Sequence, residues 1–266
     1  MNKLRAQSDP CPQGATLKSH QQAWDFVAKQ YAGGTSLPSW GTNGEMKDVA
    51  IIPEIKGGKF LEIGFGSGDS IAYLLKHGAA HVTGIDFSSA QKKIAEMRIA
   101  AASKNSSGYP KRFTLIQQAM DEALPYGLFD CVIAVYSIGW SEYPEKLFGE
   151  IHKKLRPGGY FIFSWDHYLS RIIETEEGKL VVRKSYHEPM PLFRENWKGS
   201  GQLIETHQLR PSDWFRMLTE AGFSVDGFWE PKPDKDTEPL DVYSPIYSAT
   251  ASSMVPTCVV FRAKKI

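Results

Sequence analysis

Lys59-Phe60-Leu61-Glu62-Ile63-Gly64-Phe65-Gly66-Ser67-Gly68-Asp69 is the stretch whose reading decides the rest of the chain. Phe60, Leu61 and Ile63 form a short apolar run suited to a buried parallel strand, and the loop behind it has glycine at every second position. Such a loop lets a ligand approach bare backbone, because glycine adopts dihedrals that a Cβ forbids. A helix beginning near Asp69 would turn its first unpaired N–H groups toward that ligand. Glu62 stands two residues before the first glycine, where a carboxylate can accept from an ammonium group or from loop N–H groups. A dinucleotide fingerprint, G-x-G-x-x-G, would require glycine at position 69; Asp69 stands there, and the third glycine is Gly68.

At 266 residues the chain has room for one large α/β domain, or a core domain with a small lid. Its 31 basic and 30 acidic residues leave a formal charge of +1 with no lysine or arginine block, which argues against a surface built for nucleic acid. Lys92-Lys93, Lys153-Lys154 and Lys264-Lys265 read as solvated faces or a charged terminus. Cys11, Cys131 and Cys258 are far apart without C-x-x-C spacing, so neither a disulfide framework nor a zinc site is expected, and no metal is called for. No apolar run approaches the ~20 residues of a bilayer span, and the polar start carries no hydrophobic signal region. The expectation is a soluble, cytoplasmic protein.

Taken in order, residues 1–20 read as irregular and residues 21–266 as one domain. Trp24, Phe26, Val27 and Tyr31 have helical spacing, and residues 21–45 form an N-terminal cover closed by a loop holding Trp40. Ile71, Leu74 and Leu75 give the next helix its inward face, and Gly78 ends it. The strand His81–Ile85 runs into Asp86, 24 residues after Glu62, where such folds hold ribose hydroxyls. Asp86 could instead cap the next helix, but Ser88 and Gln91 already form a plausible capping box. That helix reads as burying Ala90, Ile94, Met97 and Ala101 and running out over Lys104–Gly108. A third strand follows over residues 112–116. Phe129–Tyr136 is the most apolar strand and belongs at the sheet centre, with Tyr136-Ser137-Ile138-Gly139-Trp140 at its ligand edge. A helix with Leu147, Phe148, Ile151 and Leu155 leads through Arg156-Pro157-Gly158-Gly159 into the strand Tyr160–Ser164, which ends in Trp165-Asp166-His167. Residues 168–210 lack a sheet–helix rhythm and read as a lid insertion. A helix from Pro211, a strand from Phe223 to Trp229, a proline-bearing connection from Pro231 to Pro256 and a last strand from Cys258 complete the chain.

These motifs together resemble the class I S-adenosylmethionine (SAM)-dependent methyltransferases, whose first motif is E/D-x-G-x-G-x-G, and within them the UbiE-like small-molecule branch, with an acidic residue and histidine after the fifth strand. The segment Trp24-Asp25-Phe26-Val27-Ala28-Lys29-Gln30-Tyr31 is similar to the W/F/Y-D-x-x-A-x-x-Y cover helix, Leu155-Arg156-Pro157-Gly158-Gly159 to the L-K/R-P-G-G turn, and Leu124-Pro125-Tyr126 to Leu-Pro-Phe. The N/D-P-P-Y/F signature of enzymes that methylate base amines or glutamine amides is missing. The resemblance implies a Rossmann-like, mostly parallel seven-stranded sheet with an antiparallel last strand, in three α/β/α layers. It also implies SAM as cofactor, and a cofactor site of Tyr31, Glu62, Gly64, Phe65, Gly66, Gly68, Asp86, Phe87, Gln118, Ala119, Met120 and Tyr136, with Gln118 and Asp121 competing for the adenine amino group.

SAM carries its methyl group on a positively charged sulfur, so an enzyme need only position the nucleophile in line and exclude water. A hydroxyl or carbon acid would profit from a base, for which His167 and then His207 are candidates; a free amine would not. Trp40, Trp140, Trp165, Tyr186 and Trp197 could line an apolar pocket for a small-molecule acceptor, or simply be core. A non-catalytic partner protein on the same fold and a nicotinamide-dependent oxidoreductase remain open alternatives.

Overall fold

The computed structural model describes residues 15–42, 46, 49–102, 112–188, 190–233 and 249–266. Cys11, the Lys104–Gly108 run-out and the middle of the connection after Pro231 lie outside them. The central sheet has seven strands: β1 (Lys59–Ile63), β2 (His81–Asp86), β3 (Phe113–Gln117), β4 (Phe129–Val135), β5 (Leu155–Asp166), β10 (Phe223–Trp229) and β11 (Cys258–Lys265). Their order is β10-β11-β5-β4-β1-β2-β3. Only β11 runs antiparallel to its neighbours, pairing Phe261 with Phe163 and Phe228. All five parallel strands are bounded by crossovers, so both faces must be covered, and the strands are apolar on both sides: β1 buries four of five residues and β4 six of seven. The Rossmann-like expectation holds.

The helices α4 (Pro144–Lys154) and α6 (Pro211–Glu220) cover one face, where Phe148 and Trp214 pack among Phe161, Phe163 and Phe261. On the other lie α2 (Asp69–Lys76) and α3 (Ser89–Ala102). The side of α3 that is buried consists of Gln91, Ala95 and Ile99, one notch from the expected stripe, and Met97 is 64% exposed. Trp40 is fully buried in this layer with Leu37, Ile51 and Cys258. It is core, and its candidacy as an acceptor contact is corrected.

The cover helix α1 spans Leu17–Val27, four residues earlier than expected, because Thr16 and Ser19 form a reciprocal capping box. It docks through Asp25, which accepts from Ser88 Oγ at 2.5 Å and from Ala90 N at 3.0 Å, and through Gln21, which donates to the Phe87 carbonyl. The region 168–210 has its own order: a helical turn α5 (Leu169–Ile172), then β6 (Ile173–Glu176) paired with β7 (Lys179–Val182), and β8 (Met190–Arg194) paired with β9 (Ile204–Gln208), all antiparallel. Short α7 (Ala249–Met254) precedes the last strand.

Candidate active site

The sheet order reverses at β1, which has β4 on one side and β2 on the other, so the loops after β1 and β4 diverge and leave a crevice. The cleft floor is built from close backbone approaches. Ser137 Oγ donates to the Ile63 carbonyl at 2.5 Å, and its Cβ sits 2.4 Å from where a Cβ on Gly64 would be. Gly64 and Gly66 both have positive φ, 72° and 50°, but differ in surroundings: nothing lies within 4 Å of a Cβ placed on Gly66, which lines the cavity with open backbone. Gly68 instead caps α2 with its would-be Cβ 2.8 Å from Ala95 Cβ. Its place is against α3, outside the cavity lining, and its assignment as a cofactor contact is corrected.

Asp86 ends β2 and holds this loop. Its carboxylate accepts from Gly66 N and from Ser88 N, each at 2.9 Å, while Ser88 Oγ accepts from Gln91 N as the cap of α3. Burial pushes the Asp86 carboxyl up to about 6 against the pull of these two amides, with Asp25 adding to the rise. Glu62 is 2% exposed; its Oε2 has no partner, and burial holds its carboxyl well above the usual range despite a hydrogen bond from Ser70. A buried carboxylate oxygen without a donor is costly, and a cation with N–H groups would satisfy it.

One cavity is lined by Glu62, Gly64, Phe65, Gly66, Asp86 and Phe87, and further by Gln118, Ala119, Met120, Asp121, Tyr136 and Tyr31. Gln118 donates its amide to the Ala123 carbonyl, and Asp121 accepts from Ser141 Oγ and Glu142 N, so both residues competing for the same role face the same space. The cavity continues along Trp140, Trp165 and Trp197. Trp165 donates to the His207 carbonyl at 3.2 Å; Trp24, Trp140, Trp197 and Tyr31 form a ring cluster with centroids 5.1–6.0 Å apart.

Three other candidates fall away from this space. His167 is 2% exposed, and both its ring nitrogens are engaged: Nδ1 accepts from Leu169 N at 3.0 Å, so Nε2 carries the hydrogen and donates to Glu230 at 2.8 Å. Burial lowers its proton affinity, with Glu230 opposing. It is a packed strut outside the cavity lining, and the role of base is withdrawn. His167→Gln is therefore expected to lower thermal stability by about 1–3 kcal/mol and leave S-adenosylhomocysteine affinity unchanged by calorimetry; a tenfold loss of affinity would contradict this placement. His207 offers the cavity neither its ring nor a lining contact, only the carbonyl that holds Trp165, and Tyr186 packs on Tyr168 and His187.

Of the other lining residues, Trp24 and Asp166 belong to segments quoted above, and the rest carry no local sequence signal. His20 and Trp24 come from α1, Asp166 and Arg171 from the end of β5 and α5, and Arg194 and Thr206 from β8 and β9. His20 Nε2 accepts from Glu205 N at 3.0 Å, which ties the cover to the lid, and burial with His207 nearby brings its pKa down to about 4. The helical spacing of α1 was legible, but its contact with β9, 185 residues away, was not.

Residues 61–163 match the family model of a methyltransferase domain. The chain has the fold of the SAM-dependent methyltransferases, and the matched segment is a methyltransferase domain. A SAM-dependent methyltransferase from Mesorhizobium loti superposes on this methyltransferase fold with a TM-score of 0.64 at 22% identity, covering 81% of this chain and 94% of that one. An uncharacterized methyltransferase of Bacillus subtilis, YdaC, is 34% identical over 108 residues, 39% of this chain and 54% of that protein. A phosphatidylethanolamine N-methyltransferase of Cereibacter sphaeroides is 26% identical over 172 residues, 61% of this chain and 79% of that protein. No helix among the described residues is long and apolar enough to cross a membrane.

Proposed function

We propose that the protein transfers the methyl group of SAM to a small-molecule acceptor by in-line displacement, leaving S-adenosylhomocysteine. The observation that carries this reading is the unpartnered, buried Glu62 Oε2 in the same cavity as the open backbone of Gly66 and the carboxylate of Asp86. These residues fit the group: Glu62 would take the ammonium of the methionine moiety, Gly66 gives room beside bare backbone, Asp86 would accept from ribose hydroxyls, and Phe87 and the Gln118–Asp121 segment would border the adenine. When bound, SAM supplies an electrophilic methyl on a cationic sulfur.

The chain's own residues then orient, enclose and dehydrate. The α1 cover is fastened at the Asp86–Ala90 corner by Asp25 and at the lid by His20, so the two halves of the cavity close together. His20 holds its Nε2 lone pair in the Glu205 bond and stays neutral, so it can donate a hydrogen bond from Nδ1 but not take a proton. Asp166 is the carboxylate on the acceptor wall, where it orients rather than deprotonates, because Arg171 is hydrogen-bonded to it.

Calorimetric titration of the purified protein with S-adenosylhomocysteine and, separately, NADH tests the reading. S-adenosylhomocysteine alone is expected to bind, and Asp86→Ala to weaken it by about 1.5–3 kcal/mol, the loss of hydrogen bonds to a charged group. Ribose hydroxyls need the ionised carboxylate, so affinity is expected to fall as the pH drops through about 6, and Asp86→Ala to remove that part of the dependence and leave the part that comes from Glu62. The same raised pKa means that the ligand-free fold loses stability from this group as the pH rises through about 6, so the thermal shift on binding is largest above it. Binding of NADH alone would replace methyl transfer with oxidoreduction; binding of S-adenosylhomocysteine with no transfer to any of a broad set of acceptors would favour a non-catalytic partner.

A further inference from the structure

Carboxylates outnumber cations around the cavity. Glu62, Asp86, Asp121, Glu142 and Asp166 all line it, against the guanidinium groups of Arg171 and Arg194, an excess of three negative charges when every carboxyl is ionised. The cofactor's ammonium and sulfonium, set against its own carboxylate, offset one of the three. Much of this excess stands beside the tryptophans. Asp166 follows Trp165 directly, and the turn after Trp140 carries Glu142 and is tied to Asp121, which accepts from Ser141 Oγ and Glu142 N. Arg171 is hydrogen-bonded to Asp166, so that pair is close to neutral. Glu142 is exposed at the cavity rim, and its carboxylate has neither a hydrogen bond nor an ion pair among the described residues.

We propose that the methyl acceptor is a primary or secondary amine, carried on a small apolar molecule and captured as its cation by this acidic, aromatic cavity. The proposal rests on the methyl-transfer reading above and names the substrate class of that site. Charge is the first ground: the net negative lining attracts an ammonium and repels a carboxylate or a phosphate. The rings are the second. Tyr136 and Trp165 have centroids 5.9 Å apart, and Trp140 and Trp165 stand edge to face at 6.4 Å. Tyr136 and Trp140 are half-buried and keep part of their surface open to the cavity, and the face of such a ring favours a cation.

The supply of bases is the third, independent ground. Among the described residues lining the cavity, no histidine nitrogen is left to take a proton: His20 Nε2 accepts from Glu205 N, and the rings of His167 and His207 lie outside the lining. Asp166 is bonded to Arg171, and Asp121 to the turn after Trp140. An alcohol or a carbon acid would need one of these groups to deprotonate it in place. An ammonium is far more acidic than an alcohol and gives its proton to water at the rim beside Glu142, a loss that the neighbouring sulfonium favours by like-charge repulsion. The nitrogen lone pair then attacks the methyl carbon, and the N–C bond forms as the S–C bond breaks. The S–C electron pair stays on sulfur as the neutral thioether of S-adenosylhomocysteine, and the positive charge leaves on the methylated ammonium.

The test uses the full-length protein saturated with S-adenosylhomocysteine and titrated by calorimetry with benzylamine, benzyl alcohol and benzoate, probes of similar shape and different charge. Benzylamine is expected to bind at least about tenfold more tightly than benzyl alcohol, and benzoate more weakly than either. Glu142→Lys reverses the unpaired charge at the rim: it is expected to weaken benzylamine about tenfold, to strengthen benzoate, and to leave benzyl alcohol and S-adenosylhomocysteine unchanged. Benzyl alcohol or benzoate binding as tightly as benzylamine would overturn the proposal. So would failure of benzylamine to bind at millimolar concentration, or a Glu142→Lys variant with the affinities of the parent. With radiolabelled SAM, label is expected to pass to members of a panel of primary and secondary amines; its passage to alcohols, phenols or carboxylates and not to amines would also overturn the proposal. Failure of S-adenosylhomocysteine itself to bind would instead remove the methyl-transfer reading, and the same three titrations into the protein alone would still decide which charge the cavity takes.

Discussion

Gly66→Ala is expected to abolish S-adenosylhomocysteine binding, with a loss of at least about 100-fold, while leaving the protein folded. The three loop glycines look alike in sequence, but what surrounds each is different. A methyl group on Gly66 would meet nothing within 4 Å, so the fold suffers only the cost of a non-glycine residue at φ +50°, about 1–2 kcal/mol. The methyl group would, however, stand in the cavity where bare backbone faces Glu62 and Asp86. Gly68→Ala behaves in the opposite way. Its Cβ would lie 2.8 Å from Ala95 Cβ and 3.1 Å from Ile99 Cδ1, so α2 and α3 must part, at about 1–3 kcal/mol for overpacking in addition to the cost of φ +79°. Cofactor affinity should fall only to the extent that the loop shifts. Gly64→Ala damages both, since its Cβ would sit 2.4 Å from Ser137 Cβ and prise apart the bond that joins the ends of β1 and β4. Thermal unfolding and ligand titration on the three variants, run side by side, separate these cases. If Gly66→Ala binds S-adenosylhomocysteine like the parent, the cofactor does not lie against this backbone.

That contrast also shows what could be read in the sequence. The strand–glycine–helix unit and Asp86 were legible because their signal is local: apolar runs of strand length, punctuation by glycine, and a carboxylate one step beyond a strand. The difference between Gly66 and Gly68 was not, since it depends on α3 crossing behind the loop. The face of α3 was misplaced for a related reason. The helix is rich in alanine and weakly amphipathic, so two stripes compete, and contact with Gly68 selects the one carrying Ala95 and Ile99. In the pair Asp166-His167 the residue type favoured histidine for chemistry. The chain turns into α5 at that point, the His167 ring faces Glu230, and Asp166 is left on the cavity wall. His20, Trp24, Arg171 and Arg194 come to the cavity from three segments whose approach no local pattern encodes.

The acceptor wall offers a second substitution with a large and separable effect. Gly139, in the short turn after β4, sits beneath the indole of Trp165: a Cβ there would lie 2.0–2.3 Å from three of its ring atoms, Nε1 among them. That ring is held from above, because Nε1 donates to the His207 carbonyl of β9, and it touches Tyr136 and Trp140 at the sides. A methyl on Gly139 therefore has no room unless the indole leaves, and the indole cannot leave without breaking its bond to the lid. Gly139→Ala is expected to cut acceptor turnover at least about 100-fold, because misplacement of the order of 1 Å at a positioning wall costs that much. Affinity for S-adenosylhomocysteine should change little, since Gly64, Gly66 and Asp86 are untouched. Trp165→Leu supplies the control. Alone it removes the wall and is also expected to impair turnover, but combined with Gly139→Ala it relieves the clash, so the two losses should be strongly non-additive in a double-mutant cycle. Simple additivity, or a Gly139→Ala protein whose acceptor KM and kcat match the parent, would mean that Trp165 is a passive part of the core rather than the surface on which the acceptor is aligned.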